Sequence, residues 1–266
     1  GKLDKIGVIG MGIVGSRAAE NLRKAGKHVY VWSRTPKPEP NFLGSAREVA
    51  EQADAIQIFV NNGENLLEVL ENMGDALGKR HVVLNHSTID LPTTLKAAEY
   101  LEEKGVTFVD APFTGSKVAA ENGELVYYVG ADQQVVDKLR PLLDITSRQV
   151  MWAGKVGDAT VLKVATNMIT ATTVQVLCEA LAVTQAHGIG GERLMDAINV
   201  NACSSGVTKM KLPSMLEGDF DPHFSLRNMF KDSQLALALA NDQDIEVPAL
   251  STTASIMFRM IQQGYG

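Results

Sequence analysis

Cysteine is scarce: the 266 residues contain only Cys178 and Cys203, both in stretches predicted to be helical. Two isolated thiols exclude a disulfide framework and a multi-cysteine metal site, and a reducing compartment, the cytoplasm, is expected. Basic charge is also in short supply, with 25 Lys and Arg against 31 Asp and Glu for a net charge of −6. Nucleic acid is therefore not an expected partner, because phosphate binding needs a concentrated basic face. No apolar run approaches bilayer-spanning length, so no membrane contact is expected. The first strand starts within a few residues of Gly1, and no signal peptide is expected ahead of it. Repeats and low-complexity segments are missing, and Pro36-Lys37-Pro38-Glu39-Pro40 is only a short stiff loop. His86 and His187 have no partner at metal or acid–base spacing; both are expected to be structural, and no metal is called for.

What is present describes a chain folded throughout, with 45% hydrophobic and 21% charged residues and enough length for two domains. Short β-rich runs alternate with helical stretches in the first part, as in a sheet whose crossovers are helices. Strands are predicted at Ile6–Ile9, His28–Trp32, Ala55–Val60, Val82–Leu84, Thr107–Val109, Leu125–Val129 and Val150–Trp152. Helices are predicted at Ser16–Ala25, around Leu66–Leu70 and at Thr93–Glu103. After Gly157 the pattern changes to helices alone: one long helix over Asp158–His187, then Glu192–Asn199, Leu226–Ala240 and Pro248–Gln262. The expected architecture is an α/β Rossmann domain with a mostly parallel sheet over 1–156, followed by an all-α domain over 157–266, joined by the long helix.

Gly10-Met11-Gly12-Ile13-Val14-Gly15 follows a buried-type strand and opens a helix, the context in which this spacing binds a dinucleotide. Gly10 permits the tight turn, Gly12 lets a pyrophosphate approach the backbone, and Gly15 lets helix and strand pack closely. The phosphates would sit at the helix N-terminus, where free amides and the helix dipole favour negative charge. A glycine-rich turn without a ligand is the bland alternative. NAD-binding domains place an acid at the end of the second strand to accept from the ribose hydroxyls. Here Trp32-Ser33-Arg34-Thr35 stands there. The Arg34 guanidinium can pair with a 2′-phosphate, and the Ser33 and Thr35 hydroxyls can donate to it, which favours NADP; a solvated loop arginine is the alternative.

Four motifs in order carry a resemblance over essentially the whole chain: the glycine turn, Asp110-Ala111-Pro112-Phe113-Thr114-Gly115-Ser116-Lys117, Gly154-Lys155-Val156-Gly157 leading to Lys163 and Asn167, and Lys231-Asp232. The chain resembles the β-hydroxyacid dehydrogenases, which include 3-hydroxyisobutyrate dehydrogenase, tartronate semialdehyde reductase and the glyoxylate/succinic semialdehyde reductases. Gly-Ser-Lys is most similar to the last branch, with Thr114 in place of the usual serine. The resemblance implies that Thr114, Gly115 and Ser116 receive the substrate carboxylate, that Lys163 is the catalytic lysine and that Asn167 fixes the substrate or the lysine. It further implies cofactor contacts from Val60, Asn61, Asn65, Thr88 and Lys231, and substrate contacts from Asp232 and from Phe224, which could equally be core packing. Taken alone, a lysine in such a helix is more often a snorkelling surface residue. Asn61 replaces the proline usual after Val60, and the stretch before Ala46 is too short for the usual helix and strand.

The expected activity is NADPH-dependent, reversible reduction of a small carboxylate-bearing aldehyde to its hydroxy acid, with Lys163 as general acid. A 3-hydroxyisobutyrate-type dehydrogenase or an imine reductase is a rival enzyme; imine reductases generally lack this lysine. An NADP-binding scaffold without chemistry is the rival from another class. The resemblance also implies a homodimer or homotetramer.

Overall fold

The computed structural model describes residues 3–218 and 225–265, and the chain divides into two compact units that meet at Lys163 and Val164. Eight strands form the sheet of the first unit: β1 Lys5–Ile9, β2 His28–Trp32, β3 Ala55–Ile58, β4 Val82–Asn85, β5 Thr107–Asp110, β6 Phe113–Thr114, β7 Leu125–Gly130 and β8 Ser147–Gly154. Their order is β2-β1-β3-β4-β5-β7-β6, with β8 also on β7. Five strands, β2 to β5 in that order, are parallel. β7 runs antiparallel to both β5 and β6 and parallel to β8, so the sheet is mostly parallel as expected, with β7 and β8 reversed.

The helices of this unit are α1 Ile13–Lys24, α2 Ala46–Gln52, α3 Gly63–Met73, α4 Leu91–Glu103, α5 Lys117–Glu121 and α6 Gln133–Leu143. Fully buried strand residues such as Ile6, Val8, Ile56, Ile58, Val83 and Val109 make the near-continuous apolar runs of a sheet covered on both faces. Between β2 and α2 the chain makes only one isolated bridge, Val31 to Phe42, in agreement with the short spacing there. The sequence reading has no α2, α5, α6 or β6, and it begins α1 three residues late because Ile13-Val14-Gly15 looks like part of the turn.

The second unit is helical. α7 spans Asp158–Ala186 and crosses the division between the units; α8 Gly191–Asn199, α9 Gly206–Glu217, α10 Leu226–Asp242 and α11 Pro248–Met260 follow. Leu177, Ile198 and Leu212 form one of its small cores, and Val164, Ala236 and Leu250 another. Helix α9 is missing from the sequence reading, which also places Cys203 in a helix. That residue lies in the turn before α9, whose capping box is Ser205 with Thr208.

α7 corrects a further expectation. Its mean hydropathy reaches 1.3 over a window, so by length and composition it is long and apolar enough to cross a membrane. Threonines at 160, 166, 170, 172 and 173 break the apolar run when it is read residue by residue, but barely lower its average. Along it Leu162, Ile169, Val176 and Val183 recur at intervals of seven, and all four are exposed.

Candidate active site

The carboxyl ends of β1, β3 and β4 carry three consecutive loops, and the order β2-β1-β3 reverses the winding at β1, where parallel sheets bind ligands. Gly10 takes φ +98°, and a Cβ there would lie 1.8 Å from the Phe59 carbonyl oxygen, so only glycine fits. Gly15 meets the same limit: its Cβ would lie 1.9 Å from the Gly10 carbonyl oxygen. Gly12 differs, because a Cβ on it would meet nothing within 4 Å. Its role is to leave open space above the backbone.

Gly12 is also the N-cap of α1, which has no side-chain cap and no acid in its first turn. By contrast Ser45, Asn62 and Asp90 accept backbone amides at the starts of α2, α3 and α4. The α1 amides are thus left for an anion supplied from outside the chain. A cavity of about 620 Å³ runs over this turn. The uncapped helix and the open Gly12 on one cavity together fit the phosphates of a dinucleotide.

Gly10, Met11, Gly12, Ser33, Arg34, Thr35, Val60, Asn61 and Asn65 line this cavity, as the sequence reading requires of cofactor contacts. Ile13, Val14 and Gly15 face elsewhere, and Val14 and Gly15 are buried against the sheet. Thr88 is half-buried in the loop after β4 and does not line the cavity. The Ser33 hydroxyl donates to the Thr35 carbonyl at 2.6 Å, so it must rotate before it can serve a phosphate. Arg34 forms an ion pair with Glu68 of α3.

Two contributors escape the sequence reading. Lys37 adds a second cation to the cavity wall, and its signal is its position three residues after Arg34. Ser87 accepts from the Val60 amide at 2.7 Å and fixes the loop after β3 to the loop after β4.

Beneath these loops lies His86, fully buried between Phe59 and Tyr127 with ring centroids 4.9 and 4.6 Å away. Burial pushes its pKa down to about 4, so the ring is neutral. Its Nδ1 donates to the Ala111 carbonyl at 2.7 Å, which leaves Nε2 to accept from the Gln57 amide at 2.8 Å. The ring thereby joins β3 to the segment that follows β5. This placement agrees with the structural role expected for it.

Asp110 ends β5 and is wholly buried. Its carboxylate accepts from the Gly157 amide at 3.1 Å, the Thr160 amide at 2.9 Å and the Thr160 hydroxyl at 2.9 Å. A strand end is so tied to the first turn of α7. Burial raises the carboxyl pKa, and the Thr160 and Gly157 donors oppose the rise. Farther along α7, the Lys163 ammonium donates to the Thr114 hydroxyl of β6 at 2.9 Å, uniting residues 49 apart.

Lys163 is nearly buried, while Thr114 is exposed on β6. Gly115 takes φ +150° beside Leu125. Ser116 accepts from the Ala119 amide at 3.2 Å as the cap of α5, which engages its hydroxyl in the loop's own structure.

In the second unit Asn167 lies one turn beyond Lys163 on α7, and its amide donates to the Asp232 carboxylate of α10 at 3.0 Å. Lys231 is half-buried, and desolvation lowers its pKa while Asp232 opposes this. Phe224 lies outside the described residues.

Residues 5–154 match the family described as the NAD binding domain of 6-phosphogluconate dehydrogenase, and residues 157–266 match the NAD-binding domain of NADP-dependent 3-hydroxyisobutyrate dehydrogenase. Glyoxylate/succinic semialdehyde reductase 2 of Arabidopsis thaliana is 29% identical over 98% of this chain and 75% of its own. The 2-hydroxy-3-oxopropionate reductase of Escherichia coli is 30% identical over 93% of this chain and 88% of its own. Mycobacterium tuberculosis 3-hydroxyisobutyrate dehydrogenase shares the fold with a TM-score of 0.89 at 23% identity, over 98% of this chain and 94% of its own. With both segments matched and the glycine turn in place, the chain belongs to the β-hydroxyacid dehydrogenases, NAD(P)-dependent oxidoreductases of the 3-hydroxyisobutyrate dehydrogenase type.

Proposed function

We propose that this protein reduces a small aldehyde acid of the glyoxylate or succinic semialdehyde type to the hydroxy acid with NADPH, and catalyses the reverse oxidation at the same site. The contact between Lys163 and Thr114 carries the reading, because it sets the family's lysine beside the loop that suits a carboxylate. The names of the Arabidopsis and Escherichia coli relatives support the substrate class. Arg34 and Lys37 in the cavity wall support NADPH.

Bound NADPH would supply the hydride. Thr114 holds the substrate through its hydroxyl, and the Gly115 and Ser116 amides complete an anion-binding turn whose donors are fixed beforehand. Lys163 donates a proton from Nζ to the substrate's carbonyl oxygen during reduction and takes it back during oxidation. The resemblance assigns Asn167, one turn further along α7, to fixing the substrate or the lysine, and Asp232 accepts from its amide. Near-burial of Lys163 keeps its ammonium out of bulk water, where a proton would exchange freely.

Steady-state assays with NADPH and a panel of aldehyde acids test this against the Lys163→Ala variant. Turnover is expected to fall by at least about 100-fold, the usual contribution of a positioned acid. NADPH affinity, read by its fluorescence, is expected to stay unchanged. Undiminished turnover in the variant would remove Lys163 as the acid. A wild-type protein that binds NADPH but turns over no aldehyde acid would favour a scaffold.

A further inference from the structure

The cavity that favours a phosphate also contains a group that opposes one. Asn65, Glu68, Val69 and Asn72 line it from α3, at the spacing of a single helix face. Glu68 is the only acid among its lining residues. Its Oε2 pairs with the Arg34 guanidinium across 34 residues of sequence, and both side chains are more than half exposed, at 53% and 62%. The formal charge at this wall is therefore two cations, Arg34 and Lys37, against one anion.

A 2′-phosphate, with nearly two negative charges at neutral pH, would have to take Arg34 from Glu68 and then lie near that carboxylate. A ribose 2′-hydroxyl meets the opposite situation, since a carboxylate accepts its hydrogen bond directly. The two forms of the cofactor thus find different partners on one wall, Arg34 for the phosphate and Glu68 for the hydroxyl. The ion pair between them makes each the competitor of the other's ligand.

We propose that Glu68 is a specificity-determining residue that limits the preference of this site for NADP(H) over NAD(H). The inference rests on the NADP reading of Arg34 given above. Replacing Glu68 by glutamine keeps the shape of the side chain, frees Arg34 and removes the repulsion. Because both partners are exposed, the substitution leaves the core of the unit untouched.

Calorimetric titration of the whole chain with 2′,5′-ADP and with 5′-AMP separates the phosphate from the rest of the nucleotide and needs no turnover. E68Q is expected to tighten 2′,5′-ADP by about fivefold or more, with 5′-AMP held within about twofold. R34A is expected to weaken 2′,5′-ADP far more than 5′-AMP. If R34A affects both nucleotides equally, the NADP reading fails and the role of Glu68 fails with it. If R34A behaves as expected while E68Q leaves 2′,5′-ADP unmoved, or tightens both nucleotides alike, the inference about Glu68 alone is overturned.

Discussion

Replacing Asp110 with alanine removes the buried carboxylate that ties β5 to the first turn of α7. The Thr160 hydroxyl would retain a partner, Thr94 Oγ1 at 3.1 Å. The buried amides of Gly157 and Thr160, which now donate to Asp110 at 3.1 and 2.9 Å, would lose theirs. Each stranded amide costs roughly 1–3 kcal/mol, so D110A is expected to lose about 4 kcal/mol of stability in this unit. D110N keeps one oxygen for both amides and gives up a charge that burial already opposes. Its loss is expected to be only about 1 kcal/mol.

Urea unfolding followed by tryptophan fluorescence suits the measurement, because Trp32 and Trp152, the only tryptophans, both belong to the first unit. A D110A variant within about 1 kcal/mol of wild type would refute the anchoring role, since two unpaired buried amides would by themselves cost more. D110N as damaging as D110A would show that the charge, not the acceptor, holds the helix. The result matters for function because Lys163 lies three residues beyond Thr160 on the anchored turn.

His86 should make stability depend on pH. Its folded pKa of about 4 lies below the ordinary 6.5, so its contribution is complete above 6.5 and is lost as pH falls towards 4, where the unfolded chain takes up a proton and the folded one does not. The full effect is about 3 kcal/mol at 1.36 kcal/mol per pKa unit. Urea midpoints measured from pH 7 to 4.5 should fall for wild type and flatten for His86→Gln; equal slopes would argue against the assignment. We also propose that the exposed α7 stripe of Leu162, Ile169, Val176 and Val183, at the seven-residue spacing of packed helices, joins copies of the chain. Light scattering is expected to find a dimer or larger assembly that Val176→Glu shifts towards monomer, and a monomeric wild type would count against it.

The Rossmann half was legible wherever the code is local. β1, the turn at Gly10 to Gly15 and α1 follow from an apolar run, the spacing of three glycines, and helical periodicity. α2 and α6 are less legible, although Ser45 caps the first and buried Val136, Leu139, Leu142 and Leu143 mark the second. Both sit between stronger strand signals, and Pro141 interrupts α6. β6 is two residues long, too short for alternation to show. The reversal of β7 relative to β5 has no local signature, because orientation is a property of the connection.

The sequence by itself determined a nucleotide-binding turn, a basic residue where an acid would mark NAD, and a helix bearing Lys163 and Asn167. These depend on backbone sterics and on spacing along a single element. Only the tertiary structure decided which distant groups meet: Thr114 with Lys163, Asp110 with the start of α7, and Glu68 with Arg34. Those pairings are set by strand order and helix packing, which bring together residues 34 to 50 positions apart. A charge of either sign on a loop or helix surface looks solvated in one dimension. Its partner, and therefore its effect on a ligand, exists only once the chain has folded around the cavity they share.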